Sequence, residues 1–377
     1  IKEEGAKVGG WHTRVRAAEI STYGLGGDSK LHLDRKGNVV VTTERVVPLC
    51  VAGCHYPHLI RELHSFRRMG EIKKYPKNEA DCYILSADYD KLPEETKNGD
   101  FAKALKALEQ APHSAFYLAE VCGMDPEKLN LDRLVEKGIL TRAALTPTDI
   151  LHVDGTYVRW DKDISYKGVE LIGRRAGMSI STFVNEARAA IRKRIAMIII
   201  QSTADMDGSE ITYSESREAM NLIDLALGVK KSGLIRPSIE IRKPVIAIGA
   251  PAAAWIKDMG EVFGTQVIVP ENADVANAYG AAVSQIVQRV DMEILEAGKQ
   301  YYLNTPWKRY VCESMDEALF YAVHEGRKFV EHKLRDAGCT TWDINEDSSV
   351  RKIENEITGE MMYLGTDFTV TGIGSAL

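Results

Sequence analysis

What this chain lacks narrows it first. Its longest purely apolar stretch, Ile195 to Ile200, is six residues, against the roughly 20 that a membrane-crossing helix needs. The opening IKEEGAKVGGW does not read as a secretory leader. It begins at Ile1 in polar, Gly-bearing sequence, so a truncated or split gene product is expected. Cysteine is scarce. The six residues Cys50, Cys54, Cys82, Cys122, Cys312 and Cys339 are scattered, which excludes a disulfide framework and fits a reducing, cytoplasmic setting. Neither sign of charge dominates: 48 Lys and Arg face 54 Asp and Glu, a net charge of −6. That balance gives no general attraction to nucleic acid or to anionic lipid, so no nucleic-acid or membrane partner is expected. Repeats and low-complexity tracts are also missing.

What is present is an ordinary globular composition, 45% hydrophobic and 27% charged. The 377 residues exceed one small core and suggest two or three domains. Val8 to Val47 reads as strands separated by the turns GLGGDS (Gly24 to Ser29) and DRKGN (Asp34 to Asn38). Pro57 to Met69 has Leu59, Leu63 and Phe66 on one helical face. Lys73 to Asn98 reads as connecting structure. Short helices are expected near 101–109, 114–121 and 131–137, the last ended by Gly138. Ile180, Phe183, Val184, Ala187, Ile191, Ile195 and Ile198 keep helical spacing, and another helix is expected near 216–227. PVIAIGAP (Pro244 to Pro251) and TQVIVP (Thr265 to Pro270) read as strands flanking a helix over Ala252 to Val262. That order implies a parallel pair with a crossover. A long helix from Ala273 to about Leu295 is expected next. The tail after 300 reads as one long helix, Met315 to Ala337, with short strands.

Five segments can carry chemistry. In VIAIGAPAAAW a strand delivers Gly249 and Ala250 to a turn, with Pro251 suited to the first turn of a helix. The amides that follow are unpaired helix-start donors, able to face a nucleotide; an ordinary strand-to-helix turn reads the same way. In PENADVANAYGAAVS, Ala276, Gly280 and Ser284 form a small-residue stripe, for close packing of a helix or of nucleotide-site backbone. GLGGDS offers Asp28 and Ser29 to a metal-bound water or a phosphate oxygen, or is a plain hairpin turn. LTPTDILHVDG groups Asp149, His152 and Asp154 for acid–base or metal chemistry, with Thr148 as a helix cap in the plainer reading. CVAGCHYPHL sets Cys50, Cys54, His55 and His58 at spacings that zinc uses, but in an apolar stretch without a second ligand pair. No metal is expected on those four. A helix-turn-helix over Ser114 to Leu140 with a wing at TRAALTP is the DNA-binding alternative. Its candidate recognition stretch balances Asp132 and Glu136 against Arg133 and Lys137, a poor match for phosphate.

Taken in order, VGGWHTRVRAAEISTYGLGGDS, RVVPLC, LTPTDILHVDG, VIAIGAPAAAW and VIVPENADVANAYGAAVS resemble the hydantoinase/oxoprolinase family, specifically its shorter single-chain branch. The resemblance covers most of residues 5 to 290 and is weak at 70–120 and after 300. It implies an α/β fold, an actin-like ATPase (ribonuclease H-like) lobe over 1–58 and 146–297. A mainly helical insertion over 59–145 and an appended C-terminal α/β segment over 298–377 complete the expected organisation.

The resemblance further implies ATP and Mg2+ as cofactors, an oligomer, and opening of a hydantoin, 5-oxoproline or related lactam through phosphorylation of its carbonyl oxygen. Some relatives are subunits of ketone carboxylases. By the same resemblance, Gly249, Ala250 and Pro251 match the adenosine-contacting turn, and Ala276, Asn277 and Gly280 match the helix joining two lobes. Gly26, Gly27, Asp28 and Ser29 match the Gly-rich turn beside the second phosphate motif, with Asp28 the candidate metal and catalytic carboxylate. Asp149 matches the TPTD aspartate, a second catalytic candidate. The family's two Asp–Gly–Gly–Thr phosphate turns do not occur in this sequence. The expected partners are therefore a cyclic amide or ketone substrate and the N-terminal half of the same enzyme, with a second hydantoinase-type subunit as a further candidate. A non-catalytic interaction subunit is the alternative, and this chain alone is expected to be inactive.

Overall fold

A computed structural model describes residues 7–8, 11–12, 22–65, 79–99, 101–124, 128–209, 211–230, 232–249, 252–256, 259–354 and 361–375. The chain is mixed α/β and divides into two units, Ile1–Val275 and Ala276–Leu377. None of its described helices is long and apolar enough to cross a membrane.

The first unit opens with two short strands, β1 (Lys7–Val8) and β2 (Trp11–His12), paired antiparallel. Strands β3 (Ser29–Leu33) and β4 (Val39–Arg45) form a hairpin through the expected DRKGN turn. There the Asp34 side chain accepts the amides of Lys36 and Asn38 at 2.7 and 2.9 Å, the usual way an aspartate closes a turn. Next come β5 (Val47–Pro48), α1 (Leu49–His55) and α2 (His58–Ser65).

The stretch expected to be a mainly helical insertion holds helices α3 (Glu94–Lys97), α4 (Ala102–Gln110), α5 (Ala115–Cys122) and α6 (Asp132–Glu136). It also supplies strands β6 (Cys82–Leu85), β7 (His113–Ser114) and β8 (Leu140–Ala144), three members of a four-stranded sheet ordered β5-β8-β6-β7. β8 runs parallel to β5 and antiparallel to β6. The segment thus shares one sheet with β5. Thr141 to Ala144, the first part of the wing in the DNA-binding alternative, lie in β8, whose residues are all buried except Thr141. Its own core gathers Tyr83, Leu105, Leu108, Leu118 and Leu131.

Helices α7 (Pro147–Val153), α8 (Lys162–Arg175) and α9 (Ile180–Met206) pack on one another, and α7 and α9 also contact the β3–β4 hairpin. α1 and α8 lie close because glycine removes the obstacle. A Cβ at Gly168 would sit 2.5 Å from Leu49 Cδ1, and one at Gly53 would sit 2.6 Å from Ile164 Cγ2. α9 spans two cores. Phe183, Val184, Ala187 and Ile191 belong to the main one. Ala196, Met197 and Ile200 belong to a smaller one with Ile223, Ile241, Met259 and Phe263. That smaller core supports α10 (Arg217–Ala226) and the unit β9 (Val245–Ile246), α11 (Ala252–Ile256), α12 (Met259–Phe263), β10 (Val267–Ile268). β9 and β10 are parallel, as the strand–helix–strand order implied.

The second unit starts with α13 (Ala276–Val283). The long helix expected from Ala273 to Leu295 stops there, and β11 (Ile286–Ala297) follows. Ile286, Gln288, Val290, Met292 and Ile294 face inward at every second residue, the strand period. The unit boundary accordingly falls before Ala276 and not at 297. β12 (Gln300–Asn304), β13 (Arg309–Cys312), α14 (Met315–Asp336), β14 (Thr341–Glu354) and β15 (Met361–Ser375) complete it. The sheet order is β13-β12-β11-β15-β14, with every pairing antiparallel. Instead of the expected short strands, β14 and β15 span 14 and 15 residues. α14 packs on the sheet through Ala318, Ala322, Val330 and Leu334.

Candidate functional site

The GLGGDS and TPTD segments meet. The Gly26 amide donates to Ser29 Oγ at 2.9 Å, and the Ser29 amide returns to the Gly26 carbonyl at 3.2 Å. Gly27 presents its carbonyl to Thr148, whose hydroxyl and amide donate at 2.7 and 3.2 Å. Two residues further on, the Leu31 amide donates to the Leu145 carbonyl at 2.8 Å. Asp28 points outward, about 39% exposed, with Arg45 at 3.2 Å. Its carboxylate also folds over Gly26, where a Cβ would lie 2.5 Å from Oδ1.

Asp149 has a different task from the catalytic one expected of it. It is wholly buried. Thr146 caps α7, and Asp149 closes the capping box from the third helical position. Its Oδ2 accepts the Thr146 amide at 2.9 Å, the Thr146 hydroxyl at 2.7 Å and the Leu49 amide at 3.1 Å. Its Oδ1 accepts the Cys50 amide at 2.7 Å and the Ser165 hydroxyl at 2.6 Å. The carboxylate therefore ties the start of α1, the start of α7 and the body of α8 together. With its lone pairs so engaged, it has no capacity for substrate. Burial first, and the Asp149 charge next, push the Cys50 thiol up. His152, grouped with Asp149 in the sequence, is buried too: its Nδ1 meets the Thr148 carbonyl, and its Nε2 accepts the amides of Arg159 and Trp160. Asp154 pairs with Arg188 at 2.5 Å.

Gly249 lies at the carboxyl end of β9 with φ +111°, a conformation open mainly to glycine. Its amide donates to the Ala273 carbonyl at 2.6 Å, and a Cβ added there would meet nothing within 4 Å among the described residues. Ala250 and Pro251 lie outside the described residues. Among the described residues, no hydrogen bond or ion pair joins Gly249 to the Asp28 and Asp149 segments. Asn277 and Gly280 sit on α13, in the second unit, and none of that helix is buried.

Sequence reasoning missed a charged recess of about 410 Å³ beside the β3–β4 hairpin, lined by Lys30, His32, Thr42, Glu44, Asp132 and Arg142 among others. Lys30 Nζ lies 2.5 Å from Asp81 Oδ2. Arg142 pairs with Glu44 and Asp132, and its Nε lies 3.2 Å from Asp81. Burial pushes the Asp81 carboxyl up, against the pull of the Lys30 and Arg142 charges. Burial alone would lower Arg142, but Tyr83, Asp81, Glu44 and Asp132 together hold it above its ordinary range. Each charge here has opposite-sign neighbours, so the cluster reads first as a buried polar tie between β3, β6 and β8.

Comparison with protein-family models, curated proteins and solved structures gives no match to this chain.

Proposed function

We propose that this chain is the C-terminal part of an ATP-dependent hydrolase that opens a cyclic amide (a hydantoin, 5-oxoproline or related lactam) by phosphorylating the substrate carbonyl. An amide oxygen is a poor leaving group until it carries phosphate. The protein then needs mainly positioning and charge neutralisation. The reading rests on the ordered resemblance of the segments above. One observation carries it: the Gly249 turn follows the strand of a parallel pair, and among the described residues the space beyond its Cα is open. Ligands of open α/β sheets bind outside the carboxyl ends of such strands. In this reading Gly249, with Ala250 and Pro251, receives adenosine, and Asn277 and Gly280 belong to the helix linking the lobes.

The fit to the phosphates and Mg2+ is partial. Asp28 offers one exposed carboxylate, flanked by Gly26, Gly27 and Ser29, whereas Mg2+ takes octahedral oxygen coordination. Mg2+, when bound, would neutralise the phosphate charge. Asp28 would contribute one ligand to it, and Asp149 would only hold the turn in place. The remaining donors belong to the two Asp–Gly–Gly–Thr turns of the family, expected on the N-terminal half.

The test is binding against turnover. The chain alone should bind ADP weakly, with little Mg2+ dependence, and should not hydrolyse ATP at an enzymatic rate. Adenosine contacts do not change between ground and transition state, so they help binding and not rate. Gly249→Val should weaken ADP binding by about tenfold or more, since its side chain would fill the space given to adenosine and strain the turn at φ +111°. Supplying the N-terminal half should restore Mg2+-dependent turnover with a cyclic amide. Rapid ATP turnover by residues 1–377 alone, or ADP binding unchanged by Gly249→Val, would overturn the assignment.

A further inference from the structure

Two imidazoles and a carboxylate converge where α2 passes β7. His58 and Glu62 are four residues apart on α2, which puts them one above the other on a single helix face. His113 opens β7, which the pairing of β6 with β7 brings alongside. One donor atom from each of the three lies within 4.8 Å of the others. No other such group of His, Cys, Asp and Glu occurs among the described residues.

The hydrogen bonds around them set which lone pairs remain. His58 Nε2 lies 2.7 Å from the Pro112 carbonyl oxygen. A carbonyl can only accept, so in the neutral ring Nε2 holds the proton and Nδ1 keeps its lone pair. Glu62 Oε2 accepts the Ser114 amide at 2.7 Å, which fixes the carboxylate plane. Glu62 Oε1 lies 2.7 Å from His113 Nδ1. His113 is further held by Tyr117, stacked on it at a centroid distance of 4.0 Å. Backbone carbonyl and amide contacts of this kind orient metal ligands and set their tautomers.

We propose that His58, Glu62 and His113 form a binding site for a divalent transition metal, of which zinc is the fitting example. Two imidazoles and one carboxylate suit Zn2+, Co2+, Ni2+ or Fe2+, and are a poor match for the all-oxygen preference of Mg2+ or Ca2+. The cation takes the place of the proton now shared between His113 Nδ1 and Glu62 Oε1. Ligand distances of about 2.0–2.2 Å then require small side-chain rotations from the present spacing. Three protein ligands leave a further position for water or an exogenous donor. The side chains of His113 and Glu62 are 12% and 15% exposed, shielded yet within reach of solvent. The proposal departs from the sequence expectation of no metal on Cys50, Cys54, His55 and His58 at one residue, His58: Cys50 is buried, with its amide on Asp149, and Cys54 is exposed and outside the cluster.

The experiment uses the full chain, stripped with chelator and titrated with Co2+ and with Zn2+. One equivalent of Co2+ should bind, with visible d–d absorption and displacement by Zn2+ in calorimetry. His58→Ala, His113→Ala and Glu62→Gln should each weaken binding by at least about 100-fold, more than the roughly 10- to 100-fold seen for groups that only orient metal ligands. Cys54→Ser should change nothing. Circular dichroism of each variant confirms folding, and the wild-type titration stands without any variant. A folded wild-type chain with no saturable Co2+ or Zn2+ binding would sink the proposal. That outcome would leave the trio as a His–Glu pair fastening β7 to α2. Binding that survives His58→Ala, or that is lost with Cys54→Ser, would overturn it equally.

Discussion

The Asp149 region and the Gly249 turn are two segments that sequence marked for the same site, and they are built in opposite ways. Around Asp149 every polar group is used: one buried carboxylate takes five donors from α1, α7 and α8. Around Gly249, among the described residues, a two-residue strand ends in one hydrogen bond and open space, and Ile246 and Ile248 beside it are 65% and 55% exposed. A saturated buried carboxylate makes a fold, because removing it orphans many donors at once. An open strand end leaves room for something else. Motif resemblance cannot separate the two, because a family can keep a residue for packing as readily as for chemistry.

The sharpest way to break this contrast is Asp149→Ala. It leaves the buried amides of Leu49 and Cys50 and the buried hydroxyl of Ser165 without their acceptor. A loss on the order of 4 kcal/mol is expected, since each orphaned buried donor costs about 1–3 kcal/mol and the effects overlap. Urea denaturation measures it. A loss below about 1 kcal/mol would mean that the carboxylate is not the tie described, and would return it to the catalytic list.

How much of this was legible in the sequence depends on the range of the contacts. α9 and α14 were readable because their apolar residues keep helical spacing. The β9–α11–α12–β10 order was readable because apolar runs end in Gly and Pro. β11 was not. Its stretch QRVDMEILEA is rich in helix formers, while the alternation that makes it a strand gains meaning only from pairing with β12 and β15. The capping box of α7 is local, and its Thr and Asp lie in one tetrapeptide. The partners that make Asp149 a hub are 16, 99 and 100 residues away. Likewise the α2 pair His58 and Glu62 could be seen in sequence, but His113 reaches Glu62 across 51 residues.

A second buried carboxylate sharpens the contrast by lacking what Asp149 has. Glu79 is 7% exposed. Its Oε2 has no hydrogen-bond partner among the described residues, and Arg175 stands 3.7 Å from Oε1. Burial pushes its carboxyl up to about 7, against the weaker pull of Arg175. The folded state therefore holds this proton more tightly than the unfolded state does. Its contribution to stability is fully present below the unfolded value of 4.5 and is lost as pH rises toward about 7. The wild type should lose on the order of 2 kcal/mol across that window from this group. Glu79→Gln should remove that slope and be the more stable protein at pH 8. Denaturation curves at pH 5 and pH 8 decide it; equal pH slopes in both proteins would refute the assignment.

The smallest effect is expected at the rim of the same region. Asp28 and Arg45 face each other at 3.2 Å, with side chains 39% and 72% exposed. An exposed pair of this kind is worth about 0–1 kcal/mol and is screened by salt. Arg45→Ala should therefore leave stability within about 0.5 kcal/mol of wild type. The backbone around Asp28 does not depend on the guanidinium, because the Val46 amide donates to the Asp28 carbonyl at 2.9 Å and Ser29 closes the turn on Gly26. What the substitution changes is the carboxylate, which loses its counter-charge and becomes the better ligand for an incoming cation. If Asp28 belongs to a Mg2+–nucleotide site completed by the N-terminal half, Arg45→Ala should lower the Mg2+ concentration needed for half-maximal ATP turnover by the completed enzyme. If Asp28 is only a hairpin-turn residue, that Mg2+ dependence should stay where it is while Asp28→Asn leaves turnover intact. The pair of variants thus separates a turn that binds from a turn that merely folds, in a measurement where stability is held nearly constant.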